Sequence, residues 1–178
     1  MTEFFFGYGS LLNKNSLLET APHAQGIRPA FIRGYIREFG VWDPGALLAS
    51  TSDDSYALNI KKVDNAEKRV NGIIFSVNEG EIANLLSRED GYLEIMEPVF
   101  DYQSGEKLGL ADLFEKIQDA NRFLFGSSSQ EEYLKLCLDG ARSFGEAFYQ
   151  EFINTTLIVG CPLSKIPELR KFLSSTVS

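Results

Sequence analysis

The chain has 178 residues, of which 44% are hydrophobic, 12% aromatic and 24% charged, and its formal net charge is -8. This length and composition are typical of one globular domain, and we expect residues 1–178 to form it. The negative charge argues against a nucleic-acid partner, because that binding rests on clustered Lys and Arg. No apolar stretch approaches the roughly 20 residues of a membrane helix, and no signal peptide is evident. We therefore expect a cytoplasmic protein.

Strands are predicted to dominate the first 105 residues. The alternation within AFIRGYIREFG predicts one continuous strand there, with Arg37 expected at the surface. YALNIKKV and RVNGIIFSV are separated by a short polar stretch and are predicted to form a hairpin. WDPGALLASTSDD is predicted to be a loop. The predicted strands are Phe4–Phe6, 30–40, 56–63 and 69–77, and residues 92–105 are predicted to form another strand pair or an extended segment.

Helices are predicted to dominate residues 106–178. Apolar residues recur at helical spacing from Leu110 to Leu124, and residues 127–156 are predicted to form two helices broken near Gly145. Among the strands, residues 10–20 are predicted to form a short helix or a loop, and residues 79–90 a helix. Strands followed by helices, rather than a regular alternation of the two, predict an α+β fold.

The rare side chains narrow the chemistry. His23, the single histidine, follows Pro22 in a polar, turn-like stretch and is expected on a surface loop. A multi-histidine metal site cannot be built, and we predict neither a metal nor another cofactor. Cys137 and Cys161 form no CxxC pair and are predicted to be reduced, buried thiols. Carboxylates, tyrosines, serines and backbone groups remain as candidates for catalysis.

The first predicted strand runs directly into a glycine-flanked tyrosine, in FFFGYGSLL. Backbone N–H groups in such a Gly-x-Gly-Ser turn can form a concave nest for a carboxylate, a phosphate or an oxyanion. A dinucleotide-binding fingerprint would need a third glycine where Leu12 stands. The motif alone leaves two interpretations open, an anion site or an ordinary turn that ends a strand.

Glu89 is the candidate proton shuttle. It shares a face of the predicted helix 79–90 with its apolar residues, while Arg88 and Asp90 are expected to point toward solvent. A carboxylate on the apolar side has a raised pKa, which suits general acid/base catalysis. The alternative is a helix that ends before Glu89, with Gly91 as its cap. The apolar face is marked by Ile82, Leu85 and Leu86.

Two motifs together, FGYGSLL and the later LLSREDGY, resemble the γ-glutamylcyclotransferase-like family. The similarity extends to RVNGIIFSV and EEYLKLCLDGAR, and it weakens after about residue 155. The resemblance implies a small, mixed, partly closed β-barrel flanked by helices. It also implies that Glu89 is the general acid/base, while Arg88 and Tyr92 match flanking positions without an assigned role. The implied substrate-binding residues are Tyr8, Gly9, Ser10, Leu11 and Tyr133.

The implied reaction is the conversion of a γ-glutamyl amino acid, peptide or amine to 5-oxoproline and a free amine, without a cofactor. The partner is then a small γ-glutamyl substrate. Three alternatives stay open: a binding module that does not turn its ligand over, a glutathione-specific enzyme and a γ-glutamylamine-specific enzyme. The sequence assigns neither the leaving group nor an oligomeric state.

Overall fold

The computed structural model describes residues 3–43, 55–89, 92–117 and 122–174. The strands are β1 Glu3–Gly7, β2 Gln25–Arg33, β3 Tyr35–Asp43, β4 Ser55–Lys62, β5 Arg69–Val77, β6 Leu93–Asp101, β7 Lys107–Glu115, β8 Thr156–Ile158 and β9 Cys161–Pro162. The helices are α1 Lys14–Thr20, α2 Glu79–Arg88, α3 Ser128–Arg142, α4 Glu146–Thr155 and α5 Arg170–Leu173. Among these described residues, no helix is long and apolar enough to cross a membrane.

Two sheets organise the fold. Strands β1, β5, β2, β6 and β7 form a closed barrel in that order, and the second sheet has the order β4-β3-β8-β9. The barrel closes where β1 pairs in parallel with β7, at Phe5 and Asp112. The mixed α+β fold and the small barrel flanked by helices are confirmed, and the barrel is closed rather than partly closed.

Aromatic side chains supply much of the buried core. Phe5, from the FFF run of β1, stacks with Phe75 of β5 and Phe114 of β7, with ring centroids 6.1 Å and 6.2 Å apart. Leu134 and Leu138 of α3 belong to the same core cluster. Burial of such large side chains is worth about 1.5–3 kcal/mol each, so the run stabilises the strand from which the N-terminal turn leaves.

The predicted single strand over 30–40 is wrong, because the chain breaks at Gly34. Gly34 has a φ of 77°, a conformation that glycine adopts without steric cost. The break sends β2 into the barrel and β3 into the second sheet. The predicted hairpin of 56–63 and 69–77 is also wrong, since β4 pairs with β3, whereas β5 pairs with β1 and β2.

The helix predicted from Leu110 to Leu124 is wrong: its first half belongs to β7, residues 116–117 and 122–124 are not helical, and residues 118–121 lie outside the described residues. The apolar residues that fit a helical face also fit a strand that pairs along its length with β6. A tight turn joins these two strands, with Asp101 Oδ1 accepting hydrogen bonds from the Gln103 and Ser104 amides at 3.0 Å and 2.9 Å.

Other predicted elements are confirmed. The first strand, the short helix after it and α2 lie where expected. The break between α3 and α4 falls at Gly145, which has a φ of 98° and caps α4. Of the predicted loop over 42–54, residues 42 and 43 end β3, and the remainder lies outside the described residues.

Candidate active site

The N-terminal turn leaves the barrel at Tyr8 and is fixed on both sides. The Tyr8 hydroxyl donates a 2.6 Å hydrogen bond to the Phe114 carbonyl, and the Tyr8 carbonyl accepts one from Arg37 Nη1 at 3.2 Å. Ser10–Leu12 then form a single 3-10 turn, in which the Leu12 amide donates to the Gly9 carbonyl at 3.0 Å. Gly9 precedes this turn and offers no side chain to cap its amides.

Tyr133 of α3 lies against Gly9. A Cβ atom on Gly9 would stand only 3.2 Å from the Tyr133 hydroxyl oxygen and 3.5 Å from Leu58 Cβ. The Leu58 amide of β4 donates to the same hydroxyl at 3.2 Å. The turn, β4 and α3 therefore meet at one point, and this close contact depends on the absence of a side chain at position 9.

Helix α2 brings Glu89 to this region. Its first turn is capped by Asn78, whose Oδ1 accepts from the Glu81 amide at 3.1 Å, and its last hydrogen bond runs from the Glu89 amide to the Leu85 carbonyl at 3.1 Å. The Glu89 side chain is 17% exposed. Burial raises the pKa of its carboxyl from 4.5 to about 7, and the neighbouring Arg88 charge opposes that rise.

The predicted removal of Glu89 from solvent is thus confirmed, but α2 ends at Arg88 and Glu89 is its C-terminal cap residue, one position before the predicted end of the helix face. Asp90 and Gly91 lie outside the described residues. The apolar face is narrower than expected. Leu85 is fully buried and Ile82 half-buried, but Leu86 is 39% exposed. A pattern of apolar spacing identifies the centre of a buried face more reliably than its edge.

The expectation that Arg88 points toward solvent is wrong. Its side chain is 11% exposed, and its guanidinium bonds to the N-terminal turn and to α1. Nη2 donates to Ser10 Oγ at 3.0 Å and to Ser16 Oγ at 2.9 Å. Nη1 donates to the Ser16 carbonyl at 3.0 Å and to Thr20 Oγ1 at 2.6 Å. Ser16 and Thr20 are spaced i, i+4 on α1, which is the sequence signal for a shared polar partner.

Glu89 interacts electrostatically with the phenol groups of Tyr8 and Tyr133. Burial first, and the negative charge of Glu89 among further causes, raise the pKa values of Tyr8 and Tyr133 well above their usual range. Tyr92 contributes to both shifts and lies under the ammonium of Lys116, 5.4 Å from the ring centroid. Both Tyr8 and Tyr133 stay protonated at neutral pH.

The structure therefore brings Tyr8, Gly9, Ser10 and Tyr133 into one region with Glu89. Leu11 lies in the same turn, and its buried side chain packs on Gly7.

Arg37 lies in the interior, and its expected surface position is wrong. Its guanidinium donates to Thr156 Oγ1 at 2.7 Å, to the Asn71 carbonyl at 2.6 Å and to Asn71 Oδ1 at 2.8 Å. Burial lowers its pKa to about 9. With these donors bonded to protein acceptors, Arg37 supports the turn rather than a ligand carboxylate. Arg37 shares a strand face with the buried Phe39, and this spacing was the sequence signal that could have predicted the burial of Arg37.

The predicted positions of His23 and Cys137 are confirmed, and that of Cys161 is not. His23 has a 73% exposed side chain beside Glu81, and its position on a surface loop is confirmed. Cys137 is a buried free thiol, whose pKa burial raises to about 12, whereas Cys161 is only half-buried. Within the described part of the chain, no three His, Cys, Asp or Glu side chains are grouped to hold a metal ion.

Solved structures show which fold this is. A γ-glutamyl cyclotransferase structure matches with a TM-score of 0.67 at 17% identity, over 85% of this chain and 86% of that chain. An uncharacterised protein from Homo sapiens matches with a TM-score of 0.67 at 18% identity, over the same shares. A yeast γ-glutamyl cyclotransferase specific to glutathione matches with a TM-score of 0.53 at 14% identity, over 96% and 90%. No family model and no curated protein matches the sequence.

Proposed function

We propose that this chain, which has the γ-glutamyl cyclotransferase fold, converts a γ-glutamyl amino acid, peptide or amine to 5-oxoproline and the free amine. One observation carries the proposal. Glu89 is a buried carboxyl with a pKa of about 7, and it lies beside the turn that holds Gly9 and Ser10. A carboxyl with that pKa is present in both protonation states at neutral pH, so it can accept a proton in one step and return it in the next.

The reaction is an internal acyl transfer. The substrate's α-amine attacks its own γ-carbonyl carbon, a new C–N bond closes the five-membered ring, and the γ-amide C–N bond breaks. The attacking nitrogen loses two protons as it passes from ammonium to ring amide, and the departing nitrogen gains two as it leaves as an ammonium. Glu89 carries these protons in turn, so that no water is consumed. Alignment of two groups within one molecule can supply roughly 7–11 kcal/mol of the barrier, and a positioned acid/base about 10²–10⁴-fold in rate.

The turn is the proposed binding element for the γ-glutamyl end. Gly9 lets the backbone approach a ligand closely, and no side-chain cap occupies the amides of the Ser10–Leu12 turn. The Ser10 and Leu11 amides would hold the α-carboxylate or the developing oxyanion, as in other preorganised donor pairs, whereas the Leu12 amide already donates to the Gly9 carbonyl. Tyr133 would line the same region from α3, because its hydroxyl lies against Gly9.

The test is the release of 5-oxoproline from a panel of γ-glutamyl dipeptides, glutathione and γ-glutamyl amines. The wild-type chain is expected to release it from at least one class, which also identifies the leaving group. Glu89→Gln is expected to lower kcat by about 10²–10⁴-fold. Glu131→Gln is the control, since Glu131 is ion-paired with Lys171 on the surface of α3 and should leave kcat unchanged.

Two results would contradict the proposal. Near-normal turnover by Glu89→Gln would remove Glu89 from the mechanism. Binding of a panel member without any release of 5-oxoproline would favour the alternative of a non-catalytic binding module on the same fold.

A further inference from the structure

We propose that Arg88 is a positioning residue of this site: it holds the Ser10 hydroxyl, helix α1 and the Glu89 carboxyl in one arrangement. The inference rests on the proposed function for its kinetic consequences. Its structural part stands on contacts that involve no substrate.

The guanidinium of Arg88 is bonded in an unusually complete way. Arginine has five N–H donors in a rigid, planar fork. Both donors of Nη1 and both donors of Nη2 have acceptors, and every one of these acceptors belongs to α1 or to Ser10. The remaining donor, Nε, lies 3.8 Å from Glu89 Oε1. At that distance Arg88 attracts the carboxylate without an ideal hydrogen bond to it.

This geometry links two segments that are far apart in the chain. Ser10 belongs to the turn after β1, and Glu89 ends α2. Because the guanidinium is planar and both of its terminal nitrogens are bonded, the fork fixes the Ser10 hydroxyl relative to α1 and to the end of α2, where Glu89 is the next residue. A lysine would keep the positive charge, but its point-like ammonium on a flexible stem cannot reproduce that arrangement.

Arg88 also balances the burial of Glu89. Burial raises the pKa of the Glu89 carboxyl, and the Arg88 charge lowers it. The phenols of Tyr8, from the turn, and Tyr133, from α3, also interact with Glu89, and both stay neutral. Among the described residues, Arg88 is therefore the cation that keeps this carboxyl titrating near neutral pH instead of higher.

The experiment compares Arg88→Gln, which removes the charge and the fork, with Arg88→Lys, which removes the fork alone. Arg142→Gln is the matched control. Arg142 also ends a helix and also donates several hydrogen bonds, to Tyr149 and to the carbonyls of Phe172 and Leu173. The readouts are the Glu89 titration midpoint from carboxyl ¹³C NMR, the amide resonances of residues 9–11, and kcat with KM.

The two Arg88 variants are expected to separate the effect of the Arg88 charge from the effect of its hydrogen-bonding geometry. Arg88→Gln should raise the Glu89 midpoint by roughly one to three pH units, the usual influence of an adjacent arginine. Arg88→Lys should keep the midpoint near the wild-type value but shift the amide resonances of residues 9–11. Its kcat should fall by about 10²-fold, the cost of misplacing reacting groups by about 1 Å. Arg142→Gln should lower stability without changing the midpoint or kcat.

Wild-type kcat in Arg88→Lys, or an unchanged Glu89 midpoint in Arg88→Gln, would overturn the proposal. Should the Arg88 variants not fold, Ser16→Ala and Thr20→Val each remove one acceptor, and unchanged kcat in both would overturn it as well. A failure of the proposed function is recognised separately. In that case the wild type releases no 5-oxoproline, while the Glu89 midpoint and the amide resonances still report whether Arg88 positions the two segments.

Discussion

Glu89 makes the stability of this protein depend on pH. Its carboxyl has a pKa of about 7 in the folded protein, against an ordinary value of 4.5. Between these two values the folded state keeps a proton that the unfolded state has lost. The free energy of unfolding contributed by this group therefore falls as the pH rises through that interval. A catalytic carboxyl prepared by burial is thus a destabilising feature at neutral and alkaline pH.

Glu89→Gln tests this cost directly, since glutamine cannot ionise. We expect the variant to match the wild type near pH 4.5 and to be more stable by roughly 1–3 kcal/mol near pH 8. Urea unfolding at the two pH values measures the difference. A stability difference that is the same at both pH values would mean that Glu89 does not titrate near neutrality.

The contact between Gly9 and Tyr133 gives a second prediction. In Gly9→Ala the new Cβ would lie 3.2 Å from the Tyr133 hydroxyl oxygen, so one of the two elements must shift. We expect a rise in KM and a loss of about 1 kcal/mol in stability, within the range of ordinary single substitutions. Tyr133→Phe removes the crowding atom but also the acceptor of the Leu58 amide, so the double variant should lose less than the sum of the two single variants. Additive effects in the double variant would show that the two positions are not coupled.

At the scale of elements, Arg37 joins strands that the chain topology separates. It lies on β3 in the second sheet, bonds Asn71 of the barrel strand β5, and stands 3.9 Å above the Phe152 ring of α4. Its acceptors are carbonyls, an amide oxygen and a hydroxyl rather than a carboxylate. Through the Tyr8 carbonyl the same guanidinium also fixes the start of the turn.

Removal of this guanidinium should be costly. We expect Arg37→Met to lower the free energy of unfolding by about 3 kcal/mol or more, because several buried acceptors lose their donor together. Arg33→Met is the matched control, since Arg33 is exposed on β2 and its guanidinium lies over the rings of Phe31 and Phe100. Chemical unfolding compares the two variants, and equal losses would contradict the account.

The elements also show which features of the fold and the site could be predicted from the sequence alone. The spacing of Leu85 and Glu89 on one helix predicted the buried carboxyl, because both depend on local periodicity. The contacts of Arg88 and the strand β7 were mispredicted, because both depend on partners far along the chain. The half-buried Arg88 bonds to Ser10, Ser16 and Thr20, which lie about 70 residues earlier in the chain. The apolar residues of β7 fit a helix until β6 is known to lie beside them.

At the scale of the whole molecule, the barrel and the second sheet are joined by polar contacts as well as by a shared core. Asn59 of β4 exchanges two hydrogen bonds of 2.9 Å with the backbone of Lys116, which follows β7. The Tyr35 hydroxyl of β3 donates to Glu97 of β6 at 2.8 Å. These links support the proposal that residues 1–178 fold as a single domain.

A single domain of this kind should unfold in one step. We expect one calorimetric transition in which the calorimetric and van't Hoff enthalpies agree. Far-UV circular dichroism and the fluorescence of the single tryptophan should follow the same curve. Two separate transitions would show that the barrel and the second sheet are independent units.

The central claim is that Glu89, at the end of α2, acts as the base for ring closure beside the N-terminal turn. The pH dependence of kcat/KM tests it most directly, using whichever γ-glutamyl substrate releases 5-oxoproline. Since the base must be ionised to accept the ammonium proton, kcat/KM should rise with pH through a pKa of about 7. Glu89→Gln should lose that rise together with most of its turnover. A profile without this rise, or a rise that persists in Glu89→Gln, would contradict the account.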